Sequence, residues 1–160
     1  MALRDKPPAL LKPVFKVPTL IYRAGLGRLL GRRFLLLVHR GRKSGQERRV
    51  VLEVIHYEAK PTYAAVLSGW GKRSHWFRNI EASPPLAVWI GEDRWLEPKF
   101  IVLEPDEVVE VVEEYRRNHK LLMWSLDRFF GWPRNVSDER RRELMRDLTV
   151  VVFSPRAIGH

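Results

Sequence analysis

With 160 residues the chain is about one domain long, and a hydrophobic content of 45% with six Trp, seven Phe and four Tyr excludes a disordered chain. There is no Cys, which excludes a disulfide framework, a thiolate metal site and a thiol nucleophile, and fits a reducing, cytoplasmic interior. Lys and Arg number 29 against 19 Asp and Glu, a formal net charge of +10, so an anionic partner is expected: nucleic acid, lipid headgroups or a phosphorylated ligand.

The first thirteen residues read as an irregular arm, in which Pro7, Pro8 and Pro13 break any apolar run. No stretch approaches the roughly 20 apolar residues of a membrane span. From Pro18 to Leu30 the spacing predicts a basic amphipathic helix, with Leu20, Ile21, Ala24 and Leu29 toward one side and Gly31 at its end. Such a helix either packs on its own domain or lies peripherally on an anionic membrane surface.

Phe34 to His39 is an apolar run of strand length, and Val50 to Tyr57 and Thr62 to Leu67 are the next two strands. Ser68-Gly69-Trp70-Gly71 interrupts the pattern, and Ser74 is placed to cap a short helix carrying Trp76, Phe77 and Ile80, which Pro84 and Pro85 stop. Leu86 to Ile90 and Arg94 to Leu103 read as a hairpin about Gly91-Glu92-Asp93. Asp106 is expected to cap a helix with Val108, Val109, Val112 and Tyr115 as its apolar stripe. A helical stretch from Leu121 to Phe130, a basic helix from Ser137 to about Asp147 and a closing strand from Leu148 to Phe153 complete the chain. Six strands with short connections and inserted helices predict a mainly antiparallel sheet or small barrel with flanking helices, an α+β chain that is mainly β.

Between the first two strands lies Arg40-Gly41-Arg42-Lys43-Ser44-Gly45-Gln46-Glu47-Arg48-Arg49. Its glycines permit φ > 0 and let backbone N–H groups converge, while Arg42, Lys43, Arg48, Arg49 and the Ser44 hydroxyl supply donors. The segment reads either as a solvated hairpin tip or as a grip on an anion. It is no Walker motif, because the Gly-x-x-x-x-Gly-Lys spacing and the following helix are absent. Nucleic acid is not the expected partner, because no stacking aromatics lie within the turn.

The stretch from Phe34 through this turn, with Ser74-His-Trp-Phe-Arg-Asn-Ile about thirty residues on, resembles the deazaflavin-dependent nitroreductase family over Leu29 to Leu103. The resemblance implies a split β-barrel of about six mostly antiparallel strands, paired as a homodimer and binding coenzyme F420, a deazaflavin with a phosphate and a polyglutamyl tail. FMN on the same fold is the alternative. By the resemblance Arg42, Lys43, Ser44 and Arg48 contact the phosphate and tail. Ser68, Gly69, Trp70 and Gly71 line the deazaflavin ring, Trp76 and Asn79 support that loop, and Lys72 reaches the acidic tail. Residues 1–33 would be an arm and basic helix of the same unit as a barrel domain spanning 34–160. Where the family often has Pro and aromatics after the turn, this chain has Val50-Val-Leu-Glu53, which would place a carboxylate near the cofactor.

The histidines at 39, 56, 75, 119 and 160 show no metal-ligand spacing. No Gly-x-Ser-x-Gly elbow is present and Ser44 has no neighbouring base, so no catalytic residue is identified. This silence suits a redox enzyme whose reactive atom belongs to the cofactor. The expected activity is hydride transfer from reduced F420 to a small electron-poor acceptor: a quinone, an enone or a nitro compound. A non-catalytic cofactor or lipid carrier is the rival reading.

Overall fold

The computed structural model describes residues 30–119 and 135–155. The basic helix expected from Pro18 to Leu30 (save Leu30 itself) and the helical stretch from Leu121 to Phe130 lie outside them.

Seven strands form one antiparallel sheet: β1 (Phe34–Arg40), β2 (Glu47–Ala59), β3 (Thr62–Ser68), β4 (Ala87–Ile90), β5 (Asp93–Leu96), β6 (Lys99–Val102) and β7 (Thr149–Ser154). Their order is β5-β4-β1-β2-β3-β7-β6. The two edge strands, β5 and β6, follow one another in the chain with only Glu97 and Pro98 between them. Three virtual bonds of about 3.8 Å cannot bridge an open seven-stranded sheet, so the edges must meet and the sheet rolls into a split barrel.

The single strand expected from Arg94 to Leu103 is therefore two. Pro98 offers no N–H to a ladder, and Glu97 takes φ 48°, a left-handed conformation that turns the chain out of β5. β5 stays on β4 while β6 crosses to β7. Gly91, at φ 56°, makes the two-residue turn between β4 and β5 that the sequence suggests.

Alternation along each strand separates an inside from an outside. On β1, Leu35 and Leu37 point into the barrel with Leu52, Val54, Val66, Val88, Ile90 and Phe153. Leu36 and Val38 point outward with Ala87. Ile55 follows this alternation to the outer face, and a register shift between Val54 and His56 in the long β2 brings Tyr57 back to the inner cluster.

Among the described residues three α-helices cover this frame: α1 (His75–Ala82), α2 (Pro105–Asn118) and α3 (Asp138–Arg146). α1 sends Trp76, Phe77 and Ile80 into the inner cluster, where Trp76 packs on Phe77 and Phe153. α2 and α3 bury Val108, Val109, Val112, Tyr115 and Met145 against the outer face of β2, β3 and β7. The stripe on α2 is the one its periodicity predicts, but its cap is not. Pro105 takes the first helical position, so Glu104 becomes the N-cap and its N–H is met by Glu107 at 2.9 Å. Asp106 is the second helical residue and receives Arg146 from α3 at 3.0 Å. Ser137 caps α3 as expected, accepting from the Arg140 N–H at 3.2 Å. No helix among the described residues is long and apolar enough to cross a membrane.

Candidate cofactor site

The basic turn closes on itself before it touches anything else. Gly41 N–H donates to the Gln46 carbonyl at 2.8 Å, and Gly45 N–H donates to the Gly41 carbonyl at 2.8 Å. The Arg40 guanidinium reaches the Gly45 carbonyl at 3.2 Å and the Gln46 N–H reaches Ser44 Oγ at 3.3 Å. Gly45 sits at φ 67°, which a residue with a Cβ adopts only with strain. A Cβ on Gly41 would lie 2.7 Å from Ser44 Oγ, so glycine lets the Ser44 hydroxyl fold over the turn.

Helix α1 holds this turn from beneath. Asn79, buried at 6% exposure, accepts at Oδ1 from the Arg42 backbone N–H at 3.2 Å and from Arg42 Nη1 at 2.9 Å. Arg42 Nη1 also lies 3.5 Å from the His75 carbonyl. Arg42 is thus half-buried and committed to the protein, whereas Lys43, Ser44 and Arg48 are exposed. Among the described residues no carboxylate pairs with Lys43 or Arg48. Arg49, by contrast, is taken up by Glu47 at 2.8 Å and by the face of Trp89.

Asn79 Nδ2 turns the other way, to Nδ1 of His39 at 3.2 Å. His39 continues the inward row Leu35, Leu37, and its partner across the ladder is Arg48. It is buried, and burial, with a smaller contribution from the Arg48 charge, pushes its pKa below the ordinary value, partly opposed by a backbone hydrogen bond at Arg40. The spacing of the five histidines does not single out His39. Its position at the turn end of an inward-facing row was the available signal.

The second part of the site is the loop between β3 and α1. Ser68 is buried, and its Oγ donates to the Gly71 carbonyl at 2.7 Å and lies 2.6 Å from Ser74 Oγ. A 3-10 turn, Gly71–Arg73, leads into α1. Gly71 has φ 56°, and a Cβ there would stand 3.4 Å from Thr149 Oγ1. Gly69, Trp70 and Gly71 are half-buried, and Lys72 is exposed. Ser74 does not cap α1 with its side chain, because that hydroxyl is spent on Ser68.

The structure thus brings the turn and the loop onto one short helix, the loop at its start through Ser74 and the turn on Asn79 one turn further along. Trp76 is a core residue, 8% exposed. Asn79 braces the basic turn, not the Ser68 loop, which is anchored by Ser74. Glu53 is also not where its sequence position suggested. It pairs in register with Phe34, at the opposite end of the β1–β2 ladder from the turn, and takes the Tyr115 hydroxyl of α2 at 2.7 Å. No group of three or more metal-ligating side chains is present among the described residues.

The family model of the F420H(2)-dependent quinone reductases matches residues 19–120, more than half of the chain. No functionally curated protein matches the sequence. Similar solved structures include an F420-H2 dependent reductase, 20% identical with a TM-score of 0.46, covering 78% of this chain and 96% of that one. A pyridoxamine 5'-phosphate oxidase-related, FMN-binding protein from Nostoc punctiforme is 13% identical with a TM-score of 0.45, covering 94% of this chain and 82% of that one. On the family match, the chain belongs to the F420H(2)-dependent quinone reductases and is an oxidoreductase whose cofactor is coenzyme F420.

Proposed function

We propose that the basic turn grips the F420 phosphate through Lys43, Ser44 and Arg48, and that Gly69, Trp70 and Gly71 flank the deazaflavin ring. One observation carries this reading: the turn is locked from within by Asn79, while Lys43 and Arg48 are exposed with no acidic partner among the described residues. The donor set suits a phosphate, since two cations and a hydroxyl on a preorganised loop each offer a charge-assisted or hydroxyl hydrogen bond. Arg42 serves the grip indirectly, as the strut between turn and helix, Asn79 braces it from α1, and Trp76 supports the Ser68 loop from the core. Lys72, exposed beyond the loop, is free to meet the acidic tail.

When bound, the reduced deazaflavin supplies the hydride, and the protein positions it and shields it from water. The acceptor we propose is a small electron-poor molecule, with quinones first because the matched family reduces them, and enones and nitro compounds beside them. We further propose that the enzyme works as a homodimer, on the family resemblance, and that the basic segment before residue 30 allows peripheral contact with anionic membranes.

Fluorescence titration with F420 and with FMN, on the wild type and on a Lys43→Ala, Arg48→Ala double variant, tests the grip. Loss of two charge-assisted bonds predicts at least about a hundredfold weaker F420 binding. Unchanged affinity overturns the assignment, and preference for FMN overturns the cofactor placement. Tight F420 binding with no reoxidation by a panel of quinones would favour a carrier. Sedimentation velocity reads the oligomer.

A further inference from the structure

The amide of Asn79 can be oriented in one way only. Both Arg42 groups that face it are donors, so the atom between them is the oxygen. Nδ2 then faces His39 Nδ1, which must accept. A proton on that nitrogen would set two donors against each other. Turning the amide over would instead set its NH2 against the two Arg42 donors. The strut that holds the turn therefore requires an unprotonated Nδ1 on a buried histidine in the barrel wall.

We propose that His39 is a positioning residue for cofactor binding: its neutral Nδ1 fixes the Asn79 amide, which fixes Arg42 and so sets the turn that presents Lys43 and Ser44 beside Arg48 of β2. The inference rests on the reading of the turn as the phosphate grip. It also predicts a pH response of unexpected sign. The charged groups around His39 are Arg48 across the ladder and Arg42 beyond Asn79, while Arg40, next along β1, alternates to the opposite face and reaches the Gly45 carbonyl. A proton added to this cationic surround would strengthen the hold on an anion if charge alone mattered. Through the amide it weakens that hold.

Three variants decide it: His39→Leu, which keeps an apolar inward side chain and loses the acceptor, His39→Asn, whose Oδ1 can stand where Nδ1 stood, and the Lys43→Ala, Arg48→Ala double variant. Each is titrated with F420 and with the deazaflavin chromophore truncated before its phosphate, across pH 5 to 8 or so. The expected result is about tenfold weaker F420 binding in His39→Leu, unchanged binding of the truncated chromophore, and recovery in His39→Asn. Wild-type affinity for F420 should fall on acidification, and this fall should be absent in His39→Asn. Wild-type affinity in His39→Leu, with the double variant impaired, overturns the inference and leaves the grip standing. Equal losses for both ligands, or in both His39 variants, assign His39 a general packing role and overturn it too. An unimpaired double variant removes the grip itself. Should His39→Leu fail to fold, a wild-type affinity that is flat or rises on acidification overturns the inference by itself.

Discussion

Ser68 and Ser74, both buried, share a hydrogen bond at 2.6 Å. Because Ser68 gives its proton to the Gly71 carbonyl, Ser74 must donate to Ser68, and the loop between β3 and α1 is tied at both ends. Helix α1 forgoes its side-chain cap to make this tie.

Ser68→Ala should therefore act on loop and stability together. It strands a buried Ser74 hydroxyl and frees the Gly71 carbonyl from its side-chain donor, at a cost of about 1–3 kcal/mol. A capping bond from the released Ser74 would return part of that. Urea denaturation should show the loss, and F420 titration a weaker complex.

Gly45→Ala addresses the turn without removing a charge. At φ 67° an alanine costs about 1–2 kcal/mol, and the turn relieves it by shifting the peptide that Arg40 holds. We expect weaker F420 binding with every cation present, together with a lower urea midpoint.

His39 makes stability depend on pH. Its folded pKa is lowered, chiefly by burial, from the ordinary value of 6.5. The unfolded chain then takes up the proton first, so the stabilising contribution is complete above 6.5 and is lost as pH falls from there through the folded value. His39→Asn should flatten this acid limb in urea midpoints measured against pH.

Tyr115 produces the opposite, alkaline limb. Burial raises its pKa above 10.0, helped by the hydrogen bond and the charge of Glu53 and opposed by Arg33. The folded chain keeps the phenol proton after the unfolded chain has lost it, so stability is full below 10.0 and falls as pH rises beyond it. Tyr115→Phe should lower stability near neutrality by about 1–2 kcal/mol, through the loss of the bond to Glu53. It should also soften the alkaline limb, of which Tyr63, raised mainly by its burial, retains a part.

Local chemistry made much of this fold legible. The β1 and β2 runs, the turn between them, the α2 stripe and the Ser137 cap each depend on neighbours a few residues away. The β-rich composition from Arg94 to Leu103 suggests one strand, although Pro98 is itself a sign that a strand cannot run on through it. Pro105 moved the α2 cap by two positions because it is preorganised for the first helical site. At the site, the cations and glycines were readable, but their division of labour was not. Nothing local distinguishes Arg42, which turns inward, from Lys43, which does not. That difference is made by Asn79, 37 residues away. Glu53 likewise takes its role from Tyr115, 62 residues on.

The passage from β5 to β6 joins the two edges of the sheet, yet among the strand pairings of the described residues none links those two strands. The peptide between Glu97 and Pro98 is thus a seam whose opening leaves every ladder whole. Cut there, the chain yields a first piece with β1 to β5 and the proposed cofactor-binding turn and loop, and a second with β6, α2, α3 and β7. Five register positions between β3 and β7, Ala64 to Ser68 against Phe153 to Thr149, would rejoin them. Two separately produced fragments should then reassemble, and the reductase would return only when its barrel wall does.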